Sequence, residues 1–123
     1  MAADPFADTR FFTHASLPVA AAYCRTLDVM GVVNRITPSS MRLSPGLAVQ
    51  AMVLDVLSGR SPLYREEEFW ERQDRLLLLG KDVDSHIFND TNLGRALDAL
   101  FEAGPTRIIT ELGLEAAKKF DLD

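Results

Sequence analysis

The loop DVDSHIFND, residues 82–90, gathers Asp82, Asp84, His86 and Asp90, all hard or borderline metal ligands, within nine positions. A calcium loop of the EF-hand kind needs Gly at its sixth position and Glu at its twelfth, where this chain carries Ile87 and Leu93. Zinc sites draw mostly on Cys and His, and outside the loop the chain has only His14 and Cys24. The stretch therefore reads as a polar, helix-capping connection, and no metal or cofactor is expected. Cys24 falls on the apolar side of a helix, where a buried, inert thiol is the ordinary outcome. The sequence contains no Ser-centred elbow, HExxH, P-loop or dinucleotide glycine fingerprint. Nor does an all-helical reading supply a cleft for a carboxylate pair, so neither catalytic residues nor a small-molecule substrate is expected.

The remaining candidate chemistry is phosphate binding. The net charge of −5 disfavours a general nucleic-acid surface, because such binding rests on Lys and Arg releasing counterions. Its distribution is uneven: residues 35–81 carry seven basic and six acidic groups, residues 82–123 four and nine. A polyanion could meet only the middle third, through Arg35, Arg42, Arg60, Arg65, Arg72, Arg75 and Lys81. The plainer reading of those cations is a solvated surface of mixed charge.

What positions these groups is a set of helices. A first helix is expected over 17–30, with Ser16 capping, Gly31 stopping it, and Leu17, Ala20, Ala21, Cys24 and Leu27 on one face. A short apolar piece follows at 32–36. Ser44 and Pro45 open a second helix that Gly59 closes; it is apolar nearly all round (Leu47, Ala51 and Leu54 on one side, Val49, Met52, Val53 and Val56 on the other), which places it at a bundle centre. Ser61 and Pro62 repeat the start signal for a helix through 72, with Glu66, Glu67 and Glu68 in early turns favoured by the helix dipole. DRLLLLG reads as a short helix or turn closed by Gly80. Asp90 caps the next helix, and Gly104 with Pro105 separates it from a last one reaching about residue 120. The fold class is all-α: a compact bundle of roughly five main helices with short connectors, compatible with a helix-turn-helix, over 16–123, with 1–15 as an N-terminal extension.

In FNDTNLGRALDALFEAG, residues 88–104, Leu93, Ala96, Leu97, Leu100 and Phe101 form an apolar stripe. The opposite face presents Arg95, Asp98, Ala99 and Glu102, one base against two acids, which is poorly suited to a phosphate-lined groove. In the last helix Ile109, Leu112, Gly113, Ala116 and Phe120 are expected inward, while Arg107/Glu111 and Glu115/Lys119 are spaced to pair, and Lys118 and Lys119 suit the helix C-terminus.

Three segments together resemble the helical N-terminal domain of a group of DDE-type insertion-sequence transposases: LPVAAAYCRTLDVMGVVNRI (17–36), SPGLAVQAMVLDVLSGRSPLYREEEFWERQ (44–73) and residues 88–104. The resemblance runs in the same order over about 17–122. Its most specific element is the last, carried by Asn89, Asp90, Leu93, Gly94, Arg95, Leu97, Asp98 and Leu100, and the Ser-Pro-Leu-Tyr run at 61–64 supports it. In such proteins this region precedes an RNase H-like domain whose three acids bind metal, the first of them shortly beyond the point where this sequence stops. The resemblance implies a non-enzymatic module that helps recognise transposon ends or assemble the protein–DNA complex. The partners it implies are transposon-end DNA and the C-terminal catalytic domain or a second copy of the chain. Self-association or interdomain docking without DNA contact is the competing expectation, and a repurposed small regulatory protein a third.

One domain suits 123 residues at 47% apolar composition. The N-terminal MAADPFADTRFF has acids where a signal peptide begins basic and turns apolar, and no apolar run approaches the roughly 18–20 residues of a membrane span. A cytoplasmic location without membrane insertion is expected.

Overall fold

Asp28 divides the first predicted helix in two. In the computed structural model, which describes residues 17–58 and 66–120, helix α1 runs over 17–27 and α2 over Val29–Ile36. Asp28 takes the left-handed conformation (φ 54°, ψ 49°), which Asp tolerates better than most residues, and its carboxylate accepts from the Gly31 amide. Gly31 is thus no stop. It sits inside α2 because a Cβ there would lie 2.3 Å from Asp28 Oδ2. The predicted inner face of α1 holds: Leu17, Ala21 and Cys24 are buried, with Ala20 and Leu27 packed against the core.

Residues 37–44 lead to α3, Pro45–Ser58. Ser44 Oγ accepts from the Leu47 amide, as its capping position requires. The start of α3 is clamped to α2: Asn34 Oδ1 accepts from the Gly46 amide at 2.7 Å, and a Cβ on Gly46 would come within 2.3 Å of the Met30 carbonyl oxygen. Only glycine lets the two backbones approach so closely.

The expectation that α3 is enclosed on all sides holds for one side. Leu47, Ala48, Ala51 and Leu54 are buried, whereas Val53, Val56 and Leu57 stand out in solvent, Val56 52% exposed. The seven-residue segment 59–65, with Gly59 and the Ser61–Pro62 start, lies outside the described residues, as do 1–16 and 121–123.

Two short helices follow, α4 (Glu66–Glu71) and α5 (Arg75–Leu79), the latter capped by Asp74 and closed by Gly80 at φ 72°. The polar connection at 82–90 contains a 3₁₀ turn, Ser85–Phe88, where Asp84 Oδ1 accepts from the His86 amide. Helix α6 covers Asp90–Ala103. Its cap is Asn89, whose Oδ1 accepts from the Asn92 amide, so the cap stands one residue before the expected Asp90, which is the first helical residue. Gly104 alone separates α6 from α7, Pro105–Lys119. The chain is all-α, with no strand among the described residues. Asp28 alone joins α1 to α2, and residues 37–44 join α2 to α3.

The core has two parts. One joins α1, α3, α4, α5, the 3₁₀ turn and α6 around Leu43, Leu54, Trp70, Phe88 and Leu93; the other joins α1, α2 and α7 around Val32, Val33 and Ile108. α3 packs against α2, α4, α5 and α6. Because Leu54 is fully buried in the larger cluster, Leu54→Ala should destabilise by about 2–5 kcal/mol in urea unfolding. A loss below about 0.5 kcal/mol would place α3 away from the centre.

The outer helices are rotated from the expected phase. On α6, Leu93 and Ala96 are buried but Leu97 is partly exposed and Phe101 is 78% exposed. On α7 Ile108 is buried and Leu112 packs on the same cluster, as expected of Leu112; Ile109, expected inside, is 70% exposed, Gly113 lies at the surface, and Phe120 is exposed with its ring 5.9 Å from Tyr23. Adjacent isoleucines make either phase fit an apolar stripe, and packing against α2 selects Ile108.

Candidate functional site

The connection 37–44 and the first half of α6 meet in a small pocket of about 50 Å³, lined by Met41, Arg42, Leu43, Asn92 and Arg95. Leu43 is buried in the core and fixes the main chain beside Arg42. Asn92 is tied on both sides: its amide is capped by Asn89, and its Nδ2 donates to the Ile87 carbonyl at 2.9 Å. Both arginines are exposed, and no acid of the described residues lies within salt-bridge distance of either. Arg95 and Asp98, spaced for a helical pair, do not form one, nor do Arg107/Glu111 or Glu115/Lys119.

The other cations are dispersed. Arg35 lies exposed in the last turn of α2, Arg72 just after α4 and Lys81 just after Gly80; Arg60 and Arg65 lie outside the described residues. Arg75 is structural: its Nε donates to the Val83 carbonyl at 2.6 Å and its Nη1 to the Trp70 carbonyl at 2.8 Å, joining the α4–α5 corner to the following loop. Arg25 likewise donates to the Leu77 carbonyl. Of the residues in the α6 motif, Asn89 caps, Leu93 is core and Leu100 packs on the smaller cluster, while Gly94, Arg95, Leu97 and Asp98 face outward and Asp90 sits at the exposed N-terminal edge.

The acidic loop is used for capping and pairing. Asp84 Oδ1 accepts from the His86 amide, which holds that carboxyl below the usual range. His86 Nδ1 lies 2.8 Å from Glu67 Oε1, and the bond raises the imidazole pKa. Among the described residues no three His, Cys, Asp or Glu side chains converge as metal ligands. Burial pushes the Cys24 thiol up, the opposite of activation.

A carboxyl pair does exist, but in the core. Asp55 on α3 and Glu66 at the start of α4 are both buried. Glu66 Oε1 accepts from Trp70 Nε1 at 3.1 Å, while Oε2 meets no donor. The two acids can be hydrogen-bonded to each other only if one keeps its proton, and desolvation together with Asp55 raises Glu66 to about 8. The dipole explanation for the glutamate run fits Glu68, which is exposed; Glu66 is there to close the core and Glu67 to hold His86. Asp55 gave a signal in the sequence: it is the lone charged residue of α3, four residues after Ala51, on the buried stripe.

A family model, the domain of unknown function DUF4277, matches residues 10–114, most of the chain. The chain belongs to the DUF4277 family. The match takes in α1 to α6 and most of α7, and with them both walls of the Arg42–Arg95 pocket. Neither comparison with curated proteins nor comparison with solved structures gives this DUF4277 domain a match. No helix among its described residues is long and apolar enough to cross a membrane.

Proposed function

We propose that this DUF4277 domain is the non-catalytic, helical N-terminal part of a DDE-type transposase, acting in the cytoplasm on transposon-end DNA. The observation that carries the reading is Arg42 and Arg95 lining one pocket with no acid of the described residues in salt-bridge reach, in a chain whose sequence resembles that transposase region. Cations without partners on a surface are the electrostatic requirement for meeting phosphates, and Arg35 precedes Arg42 by only seven residues. The charge of the C-terminal third turns α7 away from the duplex. The catalytic acids belong to another part of the transposase.

Assembly is the second reading, favoured by a different observation. Met52, Val53, Val56 and Leu57 line a wholly apolar, open groove on α3, of the kind that a catalytic domain or a second copy of the chain covers. Fluorescence anisotropy with a terminal-repeat duplex at low salt, run beside light scattering, separates the two. Replacing Arg35, Arg42, Arg60 and Arg72 together by Gln should weaken binding to any duplex and flatten its salt dependence, while Lys118→Gln with Lys119→Gln should change little. A stable dimer that binds no DNA at tens of micromolar would reject the first reading in favour of assembly.

A further inference from the structure

The pocket between the 37–44 connection and α6 has features that go beyond loose positive charge. Its walls are fixed before any ligand arrives, because Leu43 is anchored in the core and Asn92 is hydrogen-bonded through both its amide and its side chain. Its two cations are guanidinium groups, planar forks whose paired N–H donors match phosphate oxygens, rather than the point charges of lysine. At about 50 Å³ the pocket is of a size to take one phosphate group. Arg42 and Arg95 come from segments more than fifty residues apart in sequence, so the fold alone brings them to the same opening.

Resting on the DNA-binding reading above, we propose that Arg42 and Arg95 close on a single backbone phosphate of duplex DNA as a two-arginine clamp. The clamp fixes the register of the domain on the duplex and carries no base information, since a phosphate is the same at every step. It also gives Arg95 a reason to stay out of a salt bridge with Asp98, its neighbour on the helix. Asp84, an acid whose charge reaches Arg42, forms no salt bridge with it.

A double-mutant cycle tests the shared phosphate. Arg42→Gln, Arg95→Gln and the double variant are titrated with a terminal-repeat duplex and with an unrelated duplex over a range of salt, their folding checked by thermal melting. Each single variant should lose on the order of tenfold in affinity, a charge-assisted contact's worth, and equally on both duplexes. The double variant should lose little more than either single one, and its salt slope should fall by about 0.9, the contribution of one phosphate. Losses that multiply, with a slope reduced by about twice that amount, would mean two separate phosphates and overturn the clamp. Unchanged binding by both single variants, or losses confined to the terminal-repeat duplex, would overturn it as well while leaving DNA binding in place. Wild-type protein that binds neither duplex at tens of micromolar would remove the clamp and the DNA reading together.

Discussion

Trp70→Ala should cost the fold about 3–5 kcal/mol, enough to leave the domain largely unfolded if its total stability is ordinary. The ring is fully buried, edge-on to Phe69 with centroids 5.1 Å apart and tilted against Phe88 at 5.6 Å. Its indole N–H is the donor to Glu66 Oε1, so alanine leaves both a cavity and a buried acceptor without its donor. Trp70→Phe separates the two effects. The ring is largely retained, and a loss of about 1–3 kcal/mol reports the missing hydrogen bond. Because Trp70 is the sole tryptophan, far-UV circular dichroism in urea is the appropriate reading. A loss below about 1 kcal/mol for Trp70→Ala would mean that the α4 corner does not close the core.

The second large effect is a fall in stability with rising pH. Glu66 is raised from 4.5 to about 8 by desolvation first and by Asp55 second, against the opposing bond from Trp70. The folded protein therefore keeps a proton that the unfolded chain gives up between about pH 4.5 and 8. The sign follows from linkage: stability is fully present below the unfolded value, declines across that window at up to about 1.4 kcal/mol per pH unit, and levels off above it. Glu66→Gln is neutral at every pH and its amide can donate to the Asp55 carboxylate. The variant should lose most of this decline, keeping only the small one from the exposed His86–Glu67 pair, and be more stable than the wild type near pH 8, which paired urea titrations at pH 5, 6.5 and 8 would read. A wild type as stable at pH 8 as at pH 5, with the variant following the same curve, would contradict a proton shared in the core.

Features written in short, local signals were legible in the sequence. Ser44–Pro45, Gly80 and Gly104–Pro105 mark helix ends because capping is decided by the few residues on either side. The buried face of α1 was legible too, in the recurrence of Leu17, Ala21 and Cys24 at helical spacing. Where the pattern admitted two phases, as at Ile108 and Ile109, periodicity established that α7 has an apolar stripe but not which isoleucine packs on α2. Asp28 is a local device that competing signals hid: Gly31 has the character of a stop, yet its role is to make room for the Asp28 carboxylate. The candidate site was half legible. Arg42 was one of the seven middle cations named, whereas Arg95 was assigned to an outward face balanced by acids. Only tertiary packing brings Arg95 to Arg42, and only coordinates show that Asp98 leaves it unpaired. The Asp55–Glu66 contact joins α3 to α4 and was invisible to any single-helix pattern.

The central claim is that the face holding Arg42 and Arg95, and not α7, meets DNA. Amide chemical shifts of isotope-labelled protein, followed while a short terminal-repeat duplex is added at low salt, test it residue by residue. The account predicts that the largest changes fall at Arg35, along 39–44 and at 92–96, with α7 unperturbed from Thr106 to Lys119. Largest changes on α7, or on the Met52–Leu57 groove with none around Arg42 and Arg95, would contradict it.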